Sequence, residues 1–200
     1  MKKFLAFDAA GEELIAGCCN GKKYYEKREV GGGTERLLPL IDEVLNQADM
    51  KISDVEVVCV GVGPGSWTGS RVSVVTAYGF HAGNPNIKFC PFNSFDLISY
   101  NGNENKKIVK LVGAYANFVY VNESENIVAE TKDVLEKKYE GAIFISASEV
   151  VSGVKLCKRD LQSLAYRLVE GENFVDINKI EPMYLRKSQA EYNREGKYGV

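Results

Sequence analysis

The chain holds a single histidine, His81, among 200 residues. Histidine-ligated metal sites draw on two or more imidazoles at helical spacing, as in HExxH, so this class of metallopeptidase or metal transferase is excluded. A Ser-His-Asp triad lacks its usual setting as well. No GxSxG elbow occurs, because "GPGSW" places Trp67 directly after Ser66. His81 reads as a packed or surface residue. An apolar run of about 18 residues, the length that a membrane helix needs, is missing. The start, "MKKFLAFDAAGEE", is broken by Asp8 too early for a signal-peptide core. Strong charge of one sign is also absent, since 25 basic and 27 acidic residues leave a net charge of −2. The basic residues form dispersed pairs, not the cluster that grips a polyanion by counterion release, so unaided nucleic-acid binding is not expected. The five cysteines, at 18, 19, 59, 90 and 157, are odd in number and lack zinc spacing. Most lie in apolar runs, where a thiol acts as a small hydrophobe. A reduced, cytoplasmic setting without a membrane partner is the expectation.

What is present is a hydrophobic content of 45%, enough to cover roughly 70% of the unfolded chain's surface at this length. "KFLAFDA", "ELIAGCCN" and "KKYYEKREV" read as a three-stranded meander divided by "AGE" and "NG" turns. "TERLLPLIDEVLNQAD" reads as a helix with Thr34 as N-cap and an apolar stripe from Leu37 to Ala48; Pro39 should bend its first turn. A buried strand "VEVVCVGV", a helix from Thr68 to Ala82 and a strand "IKFCPF" follow. The second half repeats this order without repeating the sequence. "KKIVKLVGAY", "NFVYVNE" and "NIVAE" read as strands, "TKDVLEKKY" as a helix and "GAIFISA" as a strand. "KRDLQSLAYRLVEG" is a helix with Leu161, Leu164, Ala165 and Leu168 on one face. Two consecutive βββαβα lobes predict an α/β protein with a duplicated actin-like (ASKHA, ribonuclease-H-like) fold. The N-terminal lobe spans 1–100, a degenerate C-terminal lobe 106–182 and a polar tail 183–200, with "SYNGNENKK" as the linker.

The stretch "GVGPGSWTGSR", residues 61–71, follows the buried strand. It lacks the Lys-Ser or Lys-Thr pair of a P-loop, and Ser66 stands where the dinucleotide fingerprint has its third glycine. Two readings remain. One is a tight strand-to-helix turn with glycine where backbones pass closely. The other is an anion cradle at a helix start, in which Asp8, Gly63, Gly65, Ser66 and Arg71 would hold a nucleotide. Asp8 ends the first strand, where an actin-like fold places a metal-phosphate carboxylate. The matching place in the second half, "LVGAYANF", has no acid to join it, so Asp8 reads as a solvated strand-end acid. The helix after the loop carries Gly69, Ser73 and Ala77 at every fourth position. Such a stripe lets another helix approach closely. Together with Leu37, Leu38 and Ile41 of the first helix it predicts a helical pair that docks with another subunit.

"LAFDAA", "LLPLIDEVL", "GVGPGSWTGSRV" and "PMYLRKSQAE" resemble the bacterial TsaB family, also called YeaZ. The resemblance covers the first hundred residues, the second half by element order, and the tail by a short motif. It implies a role in making threonylcarbamoyl-adenosine beside the anticodon of tRNAs that read codons beginning with A. It further implies a non-catalytic scaffold, a degenerate paralogue of the metal-binding transferase TsaD. The two would form a heterodimer through the helical pair and recruit the ATPase TsaE. No metal, cofactor or catalytic residue is then expected in this chain, with ATP and magnesium only in the assembled complex. Transfer RNA would be met only through that complex, and the chain alone would form a self-dimer. Departures exist: Gly33-Thr34 stand where the family often has His-Ser, and Asp8-Ala9-Ala10 where it has Asp-Thr-Ser. "VGAYANFVYV" replaces an Asp-Ala-Arg segment, and Trp67 a common Phe. A weak nucleotide-binding ATPase of the actin-like superfamily is the competing expectation. In the tail, expected to be partly disordered, Tyr184, Leu185 and Arg186 read as an arm for a partner or for tRNA.

Overall fold

A computed structural model describes residues 1–185 except 32, 103–104, 115–116 and 124–125. The first apolar runs form β1 (Phe4–Asp8), β2 (Glu13–Cys19) and β3 (Tyr24–Val30); β4 (Val57–Gly61) and β5 (Lys88–Phe92) follow after helices. The sheet order is β3-β2-β1-β4-β5, with β1, β2 and β3 antiparallel and β1, β4 and β5 parallel. Every residue of β1 and β4 is buried, as central strands covered on both faces require. The free edge strand β3, YYEKREV, is only half-buried and carries charges that discourage pairing with another chain.

One face of this sheet is covered by α1 (Leu37–Gln47) and α2 (Trp67–Gly83). The α1 stripe of Leu37, Leu40, Ile41, Val44 and Leu45 is buried against it. Thr34 does not cap this helix. It starts a 3₁₀ turn, Thr34–Arg36, and the α-helix begins at Leu37 with no side-chain cap. Pro39 explains the shift: lacking an N–H, it cannot bond back to Glu35, so it is accommodated in the first turn of the shortened helix. Ser66 caps α2 by accepting from the Gly69 amide at 3.1 Å.

The second sheet contains β6 (Ile108–Gly113), β7 (Phe118–Glu123), β8 (Asn126–Thr131), β9 (Ile143–Ser146) and β10 (Lys155–Leu156), with α3 (Lys132–Lys138) after β8. Its order, β10-β9-β6-β7-β8, is that of the first sheet repeated. The duplication is therefore present in the topology. Two expectations change, however. Between β9 and β10, where the first lobe has α2, residues 147–154 form no helix. Helix α4 (Leu161–Glu170) does not belong to the second lobe in which residues 106–182 placed it. Its buried Leu161, Leu164, Ala165 and Val169 pack on the first sheet, against Phe4, Ala6, Cys59 and Phe92. The reason is the two-sided burial of β1 and β4, whose second face α4 closes. Leu168, expected on that stripe, is half-buried beside it.

Candidate functional site: an interlobe cleft and a helical face

A cleft of about 790 Å³ lies between the lobes. Ala10, Gly65, Ser66 and Trp67 line it from the first lobe, and Gly113 and Ser146 from the second. The strand ends of β1, β4, β6 and β9 converge here, the usual place for a ligand in open α/β sheets.

The floor of the cleft is closed by the chain itself. Asp8 is fully buried, not solvated as its strand-end position suggested. Its Oδ1 accepts from the Ala10 amide at 3.2 Å, and its Oδ2 from the guanidinium of Arg159, itself 8% exposed. Arg159 also donates to the Glu13 carbonyl at 2.6 Å. Arg28 donates to the Arg159 carbonyl at 2.6 Å, and pairs with Glu13 at 3.0 Å and Glu26 at 2.7 Å. Burial alone would lower the Arg28 pKa; the hydrogen bond and charge of Glu26, with those of Glu13, outweigh it and push it above the usual arginine value. The Asp8 carboxylate is thus spent on an internal cation.

The glycine loop answers to packing. Gly63 has φ of +96°, a conformation that side chains rarely adopt. Gly65 and Gly69 press on the turn after β1: a Cβ at Gly65 would strike the Ala10 carbonyl, and one at Gly69 the Ala9 carbonyl. The Ser66 amide donates to the Ala10 carbonyl at 2.8 Å. The loop is thus packed on the turn after β1, with the Ser66 amide already engaged there. Of the five residues of the nucleotide reading, only Gly65 and Ser66 line the cleft. Arg71 points elsewhere and donates to the Tyr184 hydroxyl at 3.2 Å.

The small-residue stripe likewise faces inward. Gly69, Ser73 and Ala77 are buried, and Ser73 Oγ accepts from the Ala9 amide at 3.0 Å. Leu37 and Ile41 are buried in the same core. These five side chains cannot touch a partner in this fold; the stripe brings α2 close to its own sheet. Leu38 is 53% exposed, and Val75 (61%) and Tyr78 (37%) form the outward side of α2. The outward residues of the helical pair, not the small ones, make its free face.

The chain after α4 returns along α2. The Val175 amide donates to the Phe89 carbonyl at 2.8 Å, the Tyr78 hydroxyl to the Ile180 carbonyl at 3.3 Å, and the Met183 amide to the Val62 carbonyl at 2.7 Å. Tyr184 stacks on Trp67 with centroids 3.8 Å apart. Leu185 packs on the second sheet. Tyr184 and Leu185 are thus docked on their own chain, while Arg186 lies outside the described residues. Sequence reasoning missed Arg159. Its partner is 151 residues away, and no local pattern marks an arginine for such a pairing.

Two sheets of one topology around a cleft define a duplicated actin-like protein. Solved YeaZ from Pseudomonas aeruginosa superposes with a TM-score of 0.73 at 18% identity, covering 92% of this chain and 100% of that one. Residues 33–152 match the family described as TsaD: tRNA N6-adenosine threonylcarbamoyltransferase, and with more than half its length in that match the chain belongs to this family, on its TsaB/YeaZ side. The "tRNA threonylcarbamoyladenosine biosynthesis protein TsaB" of Haemophilus influenzae is 32% identical over 92 residues, 45% of this chain and 39% of that protein. The TsaB of Escherichia coli is 34% identical over 50 residues, 25% of this chain and 22% of the relative. The chain thus spans two-fifths or less of the curated relatives it matches.

Proposed function

We propose that this protein is a non-catalytic scaffold in the formation of tRNA threonylcarbamoyladenosine, the process for which its TsaB relatives are named. It would bind and stabilise a TsaD-type transferase and help to recruit a TsaE-type ATPase. The observation that carries this reading is the Asp8–Arg159 pair. Asp8, the acid at the end of β1, is held by an arginine, and its counterpart position in the second lobe, Gly113-Ala114, has no carboxylate. Of the two first-lobe acids that line the cleft, Glu12 and Glu13, the latter is paired with Arg28. Magnesium with phosphate needs one or two such groups. Binding energy instead comes from the outward face of α1 and α2, through Leu38, Val75 and Tyr78. A standard interface of roughly 1,600 Å² on that face would hold the partner by mass action. The same face pairs with a second copy when the partner is absent.

The test is co-purification with the transferase after Val75→Glu and Leu38→Glu. Both positions are exposed, so the variants should melt as the parent does and lose the heterodimer. Normal co-purification would refute the assignment of the face. Ser73 and Ala77, being buried, are unsuitable for this test. A second reading, a weak nucleotide-binding ATPase, draws on the cleft, whose 790 Å³ is within the range of small-molecule pockets. Calorimetry with ATP and magnesium separates the two. Absent or millimolar binding supports the scaffold, and micromolar binding supports the ATPase.

A further inference from the structure

Two stretches of chain cross between the lobes, one that begins with residues 93–102 after β5 and one at residues 157–160 before α4. A partly or fully buried cation holds each one. Lys110 on β6 of the second lobe donates to the Phe95 and Ile98 carbonyls at 3.2 and 2.7 Å, both in the first crossing. Arg159, in the second crossing, is bound by Asp8 and the Glu13 carbonyl of the first lobe, and Arg28 of that lobe grips the Arg159 carbonyl. The crossings are also tied to each other. The Asp160 amide donates to the Leu97 carbonyl at 2.8 Å, and Ile98 bridges to Arg159. A third tie runs outside them, where Met183 and Tyr184 hold the first lobe and Leu185 packs on the second sheet.

We propose that Arg159 and Lys110 lock the angle between the lobes, so that the cleft neither opens nor closes and the protein moves as one body. Hinge closure requires a few residues free to absorb large backbone changes. Here carbonyls of those residues are engaged by the half-buried Lys110 and by Arg28, and the buried Arg159 is itself held by Asp8 and the Glu13 carbonyl. A buried charge that loses its partner is costly. Burial also pushes the Lys110 ammonium below the usual lysine value, as expected of a cation taken from water to bind carbonyls. The lock is a property of this fold alone and does not depend on the partner proposed above.

Hydrogen exchange of the full chain, read by mass spectrometry, tests it. Lys110→Met keeps the aliphatic stem and removes the donors; Arg159→Ala removes the second lock. In each variant, amides at 95–98 and 157–160 should exchange at least about tenfold faster while those of β1 and β4 keep parent rates, the mark of local opening. Small-angle scattering should show a larger radius of gyration. Parent rates at the crossings would overturn the proposal. So would a rise of equal size in β1 and β4, which signals global loss of stability. If Arg159→Ala fails to fold, Arg159→Lys keeps the charge beside Asp8 without the forked reach to Glu13, and should loosen 157–160 to a smaller degree. Unchanged exchange in Lys110→Met is decisive against the lock in either case.

Discussion

The first sheet lies between α1 and α2 on one face and α4 on the other, whereas the second has α3, seven residues long, and an irregular stretch where the 17-residue α2 stands in the first. Strand order is nevertheless the same in both. A duplicated fold can thus share one hydrogen-bonding plan under unequal helical cover. The consequence is a division of labour. The first lobe has close packing and an outward helical face, and the second is a smaller body against which the linker and Leu185 rest. Helix α4 also packs on the first lobe, which deepens the asymmetry.

The sharpest test of this contrast compares two glycines. A methyl at Gly69 would strike the Ala9 carbonyl, a backbone group that cannot yield, whereas one at Gly113 would meet only the Val150 side chain at 3.2 Å. Gly69→Ala should cost about 4 kcal/mol and Gly113→Ala less than about 1 kcal/mol, measured by denaturant unfolding. Equal losses would mean that the lobes are packed alike. Next in size are core truncations. Leu161→Ala on α4 should cost about 3 kcal/mol and Leu135→Ala on α3 about 2 kcal/mol, because the thinner second lobe relaxes around the cavity. A reversed order would show that the short helix carries more than its cover suggests.

The smallest effect is a pH dependence to which two groups of the first lobe contribute. Burial, then the charge of Cys19, pushes the Cys18 thiol up to about 11. Burial, then the charge and hydrogen bond of Glu26, raises the Tyr24 hydroxyl well above its usual value. Both groups keep their protons longer in the folded state than in the unfolded one. Their stabilisation is complete below the unfolded values and falls as pH rises through about 9 to 11. Thermal melts across that range should lose a few degrees, roughly, in the parent. Tyr24→Phe should reduce the loss; an unchanged slope would show that the phenol is not involved.

Much of this was legible from the residues. Alternating apolar runs marked the strands, and the glycine-rich stretch marked a strand-to-helix turn, because both signals are local. The small-residue stripe announced close approach correctly and named the wrong neighbour. Spacing shows that a helix face can come near something, but not what, and here it is the turn at Ala9. Pro39 moved the start of α1 through a missing N–H, a rule that could have been applied from the sequence. The affiliation of α4 and the Asp8–Arg159 pair could not be read, since both join residues far apart in the sequence, 151 positions in the case of the pair. Neither is announced by any local periodicity.

The return of α4 has a consequence for how the protein is born. Phe4, Ile15, Cys59 and Phe92 are made early, but the helix that shields them is translated only after the whole second sheet. A nascent chain that has emerged as far as residue 150 carries half of its first sheet bare. Completion of the amino-terminal half waits on the carboxyl-terminal quarter, and a ribosome stalled in between holds a sticky intermediate for chaperones to guard.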